Sequence, residues 1–255
     1  VTRTESSEIV VEKLSVEFSG RAVLKDISFS TRSGEITVIL GPSGSGKSTL
    51  LRAINRLNEV FPDCRTQGAD YIRLGGIRLD IYRDSIPLPD LRRRLGMLFQ
   101  LPTVLPFSIE KNLSMPLRVV MGMKGADLRK RMEWALKQVV LWEEVKSRLQ
   151  DPGSTLSGGQ KQRLCLARVL CLEPDALLLD EPPASLDFKA AASIETLLLE
   201  LKKMYPILAV THSLSQAQRI ADRVLVLREG RIVQTLTRNQ MEDPTMLQEL
   251  LAVAF

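Results

Sequence analysis

The sequence predicts an α/β fold, a mixed sheet with an N-terminal antiparallel β subdomain and an inserted α-helical lobe. Three observations predict it. The apolar run Ile36–Leu40 passes through a Gly/Ser loop, Gly41–Ser48, into Thr49–Ile54, a strand–loop–helix unit. Four more short apolar runs, Leu95–Phe99, Ala176–Leu179, Ile207–Val210 and Val224–Leu227, read as buried strands. Between them, Leu128, Met132, Ala135, Leu136 and Val139 recur at i, i+4, i+7, i+8 and i+11, the buried face of a helix.

Taken in order, Ile9–Phe18 and Ala22–Thr31 read as β segments joined by a hairpin turn at Ser19-Gly20-Arg21. Ser33-Gly34 turns the chain into Ile36–Leu40. Asn58–Gly68 reads as a polar loop, and Tyr71–Leu74 with Ile77–Leu79 as a second hairpin turning at Gly75-Gly76. From Leu101 the pattern becomes helical, with Ser108 as N-cap of a helix through Leu113. Glu229-Gly230 turns the chain into Arg231-Ile232-Val233. The expectation is one domain over residues 1–255, with its core in residues 1–100 and 156–240, the helical lobe in 101–155 and a short tail in 237–255.

Length and composition bound the function. With 255 residues, 44% of them hydrophobic, the chain can bury a full core. A net charge of +5 suits an anionic ligand or a negative membrane surface without requiring nucleic acid. Arg92-Arg93-Arg94 reads as a solvated helix face. Cys64, Cys165 and Cys171 have neither metal-ligand nor disulfide spacing, which suits a reducing compartment. Val1–Glu8 lacks a signal peptide's apolar core, and no apolar run has a membrane-spanning helix's length. The expectation is a cytoplasmic protein that meets any membrane through a partner.

Gly41-Pro42-Ser43-Gly44-Ser45-Gly46-Lys47-Ser48 fits G-x-x-x-x-G-K-[ST] between a strand and a helix. Glycines 41, 44 and 46 let backbone N–H groups curl round a polyphosphate that a Cβ would hold off, and the helix dipole favours the same charge. Lys47 is expected on the β- and γ-phosphates, Ser48 on Mg²⁺, and Thr49 in the first turn beside them. The chain is therefore expected to bind a nucleoside triphosphate.

Asp180-Glu181 ends the apolar run Leu177–Leu179, beyond the carboxyl end of a strand, where ligands of α/β sheets collect. Asp180 is expected to hold Mg²⁺, and Glu181 to polarise the water that attacks the γ-phosphate. Leu156-Ser157-Gly158-Gly159-Gln160 precedes a helix on which Leu164, Ala167 and Cys171 share a face. It forms a second helix N-terminus suited to an anion.

Together these strings resemble the ABC (ATP-binding cassette) ATPases. Gly41–Ser48 and Leu177–Glu181 are similar to their Walker A and B, and Leu156–Gln160 to their signature motif, within a resemblance running from about Ile9 to Gln234. The resemblance implies a RecA-like P-loop NTPase core, ATP and Mg²⁺. It further implies Gln100 as the Q-loop contact to metal and water, His212 as the switch histidine and Phe18 as the aromatic under adenine. Ser185-Leu186-Asp187 looks like the D-loop that crosses to a partner subunit. Two departures stand out: phenylalanine where the family often has tyrosine, and Pro183-Ala184-Ser185 in place of Thr-Ser-Ala.

The family's architecture sandwiches each ATP between one subunit's phosphate loop and the other's Ser157-Gly158-Gly159, which with Gln160 and Asp187 complete the site. One chain with one of each therefore implies a second ATPase subunit, most simply a homodimer. The apolar, proline-stiffened stretch Leu101–Phe107, with Met115, Met121 and Met123, is expected to help form a groove for a transmembrane permease docking near residues 101–125. That would place the protein peripherally on the inner face of the membrane. Leu51–Asn58, the loop to Gly68 and Leu91–Gln100 resemble the phosphate-importer ATPases. Amino-acid, metal-oxyanion and efflux cassettes stay open, as does a soluble iron–sulfur assembly ATPase.

Overall fold

A computed structural model describes residues 7–74, 77–84, 86–182, 188–243 and 245–246. Gly75-Gly76, the D-loop string 183–187 and the end of the tail lie outside the described residues.

Two sheets organise the chain. The first is antiparallel, with strands β1 (Glu8–Phe18), β2 (Arg21–Arg32), β4 (Cys64–Leu74) and β5 (Ile77–Asp80) in the order β2-β1-β4-β5. Positive φ at both Ser19 (48°) and Gly20 (77°) makes the first hairpin turn tight, with the twist that flanking strands favour. Strand β4 begins at Cys64, so the second half of the expected polar loop is extended chain paired with β1. Only Asn58–Val60 within it is helical, as a short 3₁₀ turn.

The second sheet contains β3 (Ile36–Leu40), β6 (Leu95–Leu98), β7 (Ala176–Asp180), β8 (Ile207–Thr211), β9 (Arg223–Arg228) and β10 (Arg231–Thr237). Its order is β10-β9-β3-β8-β7-β6, parallel except for the β10 edge. Strands β3, β7 and β8 are buried at every residue, because helices or the first sheet cover both faces.

Alternation along these strands divides the core. Ile36, Val38, Leu40, Leu177, Leu179, Ile207 and Ala209 face one cluster, while Ile39, Leu178, Leu208 and Val210 face the other. The second cluster holds helix α1 (Lys47–Ile54), wedged between the two sheets through Leu50, Leu51, Ala53 and Ile54. Helix α2 (Leu88–Arg94) adds Leu91 to it.

The first cluster holds α3 (Ile109–Met121), α4 (Gly125–Gln138), α5 (Trp142–Val145), α6 (Gly158–Cys171), α7 (Phe188–Leu201) and α8 (Leu214–Ile220). A further short helix, α9 (Arg238–Met241), adds Met241. Gly96 lets α6 approach the sheet, since a Cβ there would lie 2.4 Å from Val169 Cγ1.

Ser108 caps α3 as expected, accepting from the Lys111 N–H at 3.1 Å, but the helix runs past Leu113 and through Pro116. Ile109, Leu113 and Leu117 form a fully buried stripe. Burying each is worth about 1.5–3 kcal/mol, more in sum than the roughly 3 kcal/mol an interior proline costs. The expected face of α4 is buried from Leu128 to Val139.

Arg92-Arg93-Arg94 is not a solvated face. Arg92 and Arg93 donate to the carbonyls of Arg56 and Leu172, and Arg94 pairs with Asp175. These partners are distant in sequence, so no charge pattern reveals them. No helix among the described residues is long and apolar enough to cross a membrane.

Candidate active site

The strand order does what the sequence order hides. Four neighbouring parallel strands, β3-β8-β7-β6, end in the phosphate loop, His212, Asp180-Glu181 and Gln100 respectively. All four therefore share the crevice beyond the strands' carboxyl ends.

In the phosphate loop, Ser43 and Gly44 are exposed at the crest, and Gly41, Ser45, Gly46 and Lys47 are buried. The glycines have different reasons. A Cβ on Gly41 would lie 2.2 Å from Leu227 O, so β9 passing beside it by itself requires a residue without a side chain here. Gly46 has φ 105° and faces Leu24 of β2, and Gly44 has φ 81° with open space around it. Lys47 Nζ donates to Gly41 O at 2.8 Å and Pro42 O at 2.9 Å, curling back into its own loop. Burial lowers its pKa, opposed by the charges of Glu181 and Asp180.

The residues fit a magnesium–triphosphate. Gly46 caps α1 without a side chain, leaving the first-turn N–H groups to an anion. Ser45 Oγ is buried in the loop without a hydrogen-bond partner. Ser48 Oγ donates to Asp180 Oδ1 at 2.9 Å, bringing together the oxygen ligands a hard cation takes. Alternation fixes this meeting: Asp180 shares the parity of Leu178 and so faces α1. Burial raises the Asp180 pKa; the Ser48 hydrogen bond and the charge of Arg52 oppose the rise.

Glu181 then breaks the alternation. Its φ of 46° is rare for a non-glycine residue, while its N–H stays bonded to Val210 O at 3.1 Å. The turn presents its carboxylate to both neighbouring strands. Gln100 Nε2 donates to Oε2 at 3.1 Å, and His212 Nδ1 lies 2.9 Å from Oε1. His212 is itself largely exposed, so it can also face a ligand.

The signature string opens α6 with a capping box. Ser157 Oγ accepts from the Gln160 N–H at 3.3 Å, and Gln160 Oε1 accepts from the Ser157 N–H at 3.0 Å. Ser157 and Gly158 are exposed. Phe18 meets Phe61 edge to face, with centroids 5.8 Å apart. Thr49 sits in the first turn of α1, and Asp187 lies outside the described residues.

A family model described as ABC transporter matches residues 24–184. The chain belongs to the ABC transporter family. As a member it carries the ATPase fold and the ATP-hydrolysing role that its motifs imply. It is 42% identical over 231 residues to the phosphate import ATP-binding protein PstB 2 of Aliivibrio fischeri, covering 90% of this chain and 83% of that protein. Phosphate import ATP-binding protein PstB of Thermotoga maritima is 42% identical over 238 residues, covering 92% and 93%.

Among solved structures, cbiO1 of Clostridium perfringens, part of the ABC transporter complex cbiONQ, aligns with a TM-score of 0.79 at 30% identity, covering 97% of this chain and 96% of that one. A dimeric ATP-binding cassette in a post-hydrolysis state, bound to ADP and Pi, gives 0.73 at 28% identity, covering 90% and 98%.

Three residues near the site carry no motif signal. Phe61, in the 58–63 loop, packs edge to face on Phe18 and is exposed; the apolar pair Val60-Phe61 in an otherwise polar loop is the signal the sequence carries. Gln162, buried in α6, donates to Pro182 O at 2.7 Å and so ties the signature helix to the turn after Glu181. Asn112 is fully buried and bonds the carbonyls of Leu105, Phe107 and Ser108 and the N–H of Leu105, fixing the stretch that follows Gln100.

Proposed function

We propose that this protein is the ATPase subunit of a phosphate importer, and that two copies clasp two ATP molecules across their seam. In each site Ser45, Lys47 and the uncapped N–H groups of α1 bind the phosphates, with Phe18 under the base. Ser48 and Asp180 would hold Mg²⁺, with Gln100 beside them; bound there, the ion neutralises charge on the phosphate oxygens. Glu181 accepts the proton of the attacking water, held in place by Gln100 and facing His212. Ser157, Gly158, Gly159, Gln160 and Asp187 belong to the facing copy's nucleotide.

The observation that carries this reading is the double hold on Glu181, a carboxylate gripped from both flanking strands beside the Ser48–Asp180 pair. Phosphate as cargo is supported by the names of both 42%-identical relatives. A cytoplasmic position against the membrane and a permease docking near residues 101–125 follow from the same reading. Exposed Leu101 and Val119 support that docking face. The chain acts as one domain, with residues 101–155 as the lobe that meets the permease.

Purified protein should hydrolyse ATP only with Mg²⁺ and should dimerise when hydrolysis is blocked. Cells that depend on it should lose phosphate uptake when Lys47→Ala replaces the wild type. Normal phosphate uptake alongside loss of another solute's uptake would move the cargo assignment elsewhere.

A further inference from the structure

The tip of the signature helix is held from outside its own motif. Glu144, on α5, spreads its carboxylate between two residues of α6: Oε2 accepts from Gln160 Nε2 at 2.7 Å, and Oε1 accepts from Arg163 Nη1 at 2.8 Å. Arg163 also donates to Val140 O at 2.6 Å, fixing the guanidinium from the turn before α5. A primary amide can be rotated to exchange its oxygen and nitrogen, and nothing in Gln160 alone decides between the two. Its two neighbours decide it together: the Ser157 N–H only donates and so requires the oxygen end, and the ionised Glu144 carboxylate only accepts and so requires the NH₂ end. The oxygen end meets the Ser157 N–H at 3.0 Å.

The consequence reaches Ser157. With its N–H taken by Gln160 Oε1 and its Oγ accepting from the Gln160 N–H, the Ser157 hydroxyl keeps its own proton to donate outward, where the residue is exposed. The flipped amide would place an NH₂ against the Ser157 N–H, two donors facing each other, and the cap would open.

We propose that Glu144 is a positioning residue for the composite ATP site, anchoring the Gln160 amide in its capping orientation so that Ser157 presents a hydroxyl donor to the facing copy's nucleotide. This rests on the two-copy reading above. Glu144 touches no nucleotide in it and acts through Gln160. It also links the lobe to the signature helix, so a displacement of α5 would be felt at Ser157.

The test separates binding from closure. Glu144→Ala should leave the single chain's affinity for a fluorescent ATP analogue within about twofold of wild type. It should lower kcat for ATP, and dimer formation in the Glu181→Gln background, each by about tenfold. The decisive variant exchanges the pair. Gln160→Glu alone sets two carboxylates against each other and should be impaired. Glu144→Gln with Gln160→Glu restores an amide–carboxylate bond and a glutamate able to cap Ser157, and should recover most of the lost kcat.

Wild-type kcat and closure in Glu144→Ala would overturn the proposal. So would failure of the exchanged pair to exceed Gln160→Glu, or a fall in analogue affinity as large as the fall in kcat. Ser157→Ala is the control on the underlying reading. If it too hydrolyses ATP at the wild-type rate, the two-copy site is what fails, rather than the role of Glu144 within it.

Discussion

His212 Nδ1 lies 2.9 Å from Glu181 Oε1 although 31 residues separate them, because β8 and β7 are parallel neighbours and both residues follow a strand end. Gln100, after β6, closes on the same carboxylate from the opposite flank. Replacing Glu181 with Gln should keep this framework while removing the proton acceptor. ATP hydrolysis should fall by at least about 100-fold, and an ATP-bound dimer should accumulate on size exclusion. Turnover at the wild-type rate would remove Glu181 from the role of base.

Asp180 holds function against stability. Its folded pKa is raised from 3.8 by burial, so the charged form is the costly one. The sign follows: its contribution to stability is fully present below the unfolded pKa and is lost as pH rises through the folded value. Asp180→Asn should therefore melt above the nucleotide-free wild type at neutral pH, and the difference should shrink on acidification as the wild type gains the proton. The same variant should lose the added stability that magnesium and ATP give the wild type. A gap that widens at low pH would contradict this, and calorimetry across the range reads it directly.

Phe18 and Phe61 meet edge to face at an interplanar angle of 75°. If the base stacks on Phe18, Phe18→Ala should weaken nucleotide binding roughly 5- to 150-fold, the equivalent of about 1–3 kcal/mol. The loss should be similar for ATP and GTP, since every base offers a π face. Phe61→Ala should lose less. Unchanged affinity in Phe18→Ala, measured by titration calorimetry, would return Phe18 to core packing.

Asn112 is buried at 0% exposure and latches Leu105–Ser108, while Gly153 packs so closely that a Cβ would lie 2.5 Å from Val104 Cγ1. Asn112→Ala leaves the half-buried Leu105 N–H without its acceptor and should cost about 1–3 kcal/mol. Each kcal/mol should appear as a drop of about 2–4 °C in Tm for a chain of this size. Nucleotide affinity should hold, because none of these bonds involves the phosphate loop. A Tm equal to the wild type would mean that the latch is not built as described.

Much of the candidate site was legible because its chemistry is local. The phosphate loop's glycines, lysine and serine are consecutive, and the strand before them and helix after them follow from periodicity. The paired acids announce a strand end in the same way. Legibility failed where the cause was a distant neighbour. Leu227 O leaves no room for a side chain at Gly41, the Arg92–Arg94 run is tethered by carbonyls and a carboxylate far along the chain, and Cys64–Gly68 is extended because β1 offers it a ladder.

By itself, the sequence determined a glycine-rich loop between strand and helix, a pair of acids at a strand end and a capped helix start, because hydrophobic period and turn chemistry act over a few residues. Only the tertiary structure decided that β8, β7 and β6 lie side by side, so that His212 and Gln100 grip one carboxylate, and that Glu144 reaches Gln160. Those outcomes depend on which strands and helices become neighbours. Burial and long-range hydrogen bonding settle that choice for the whole chain at once, and no short stretch encodes it.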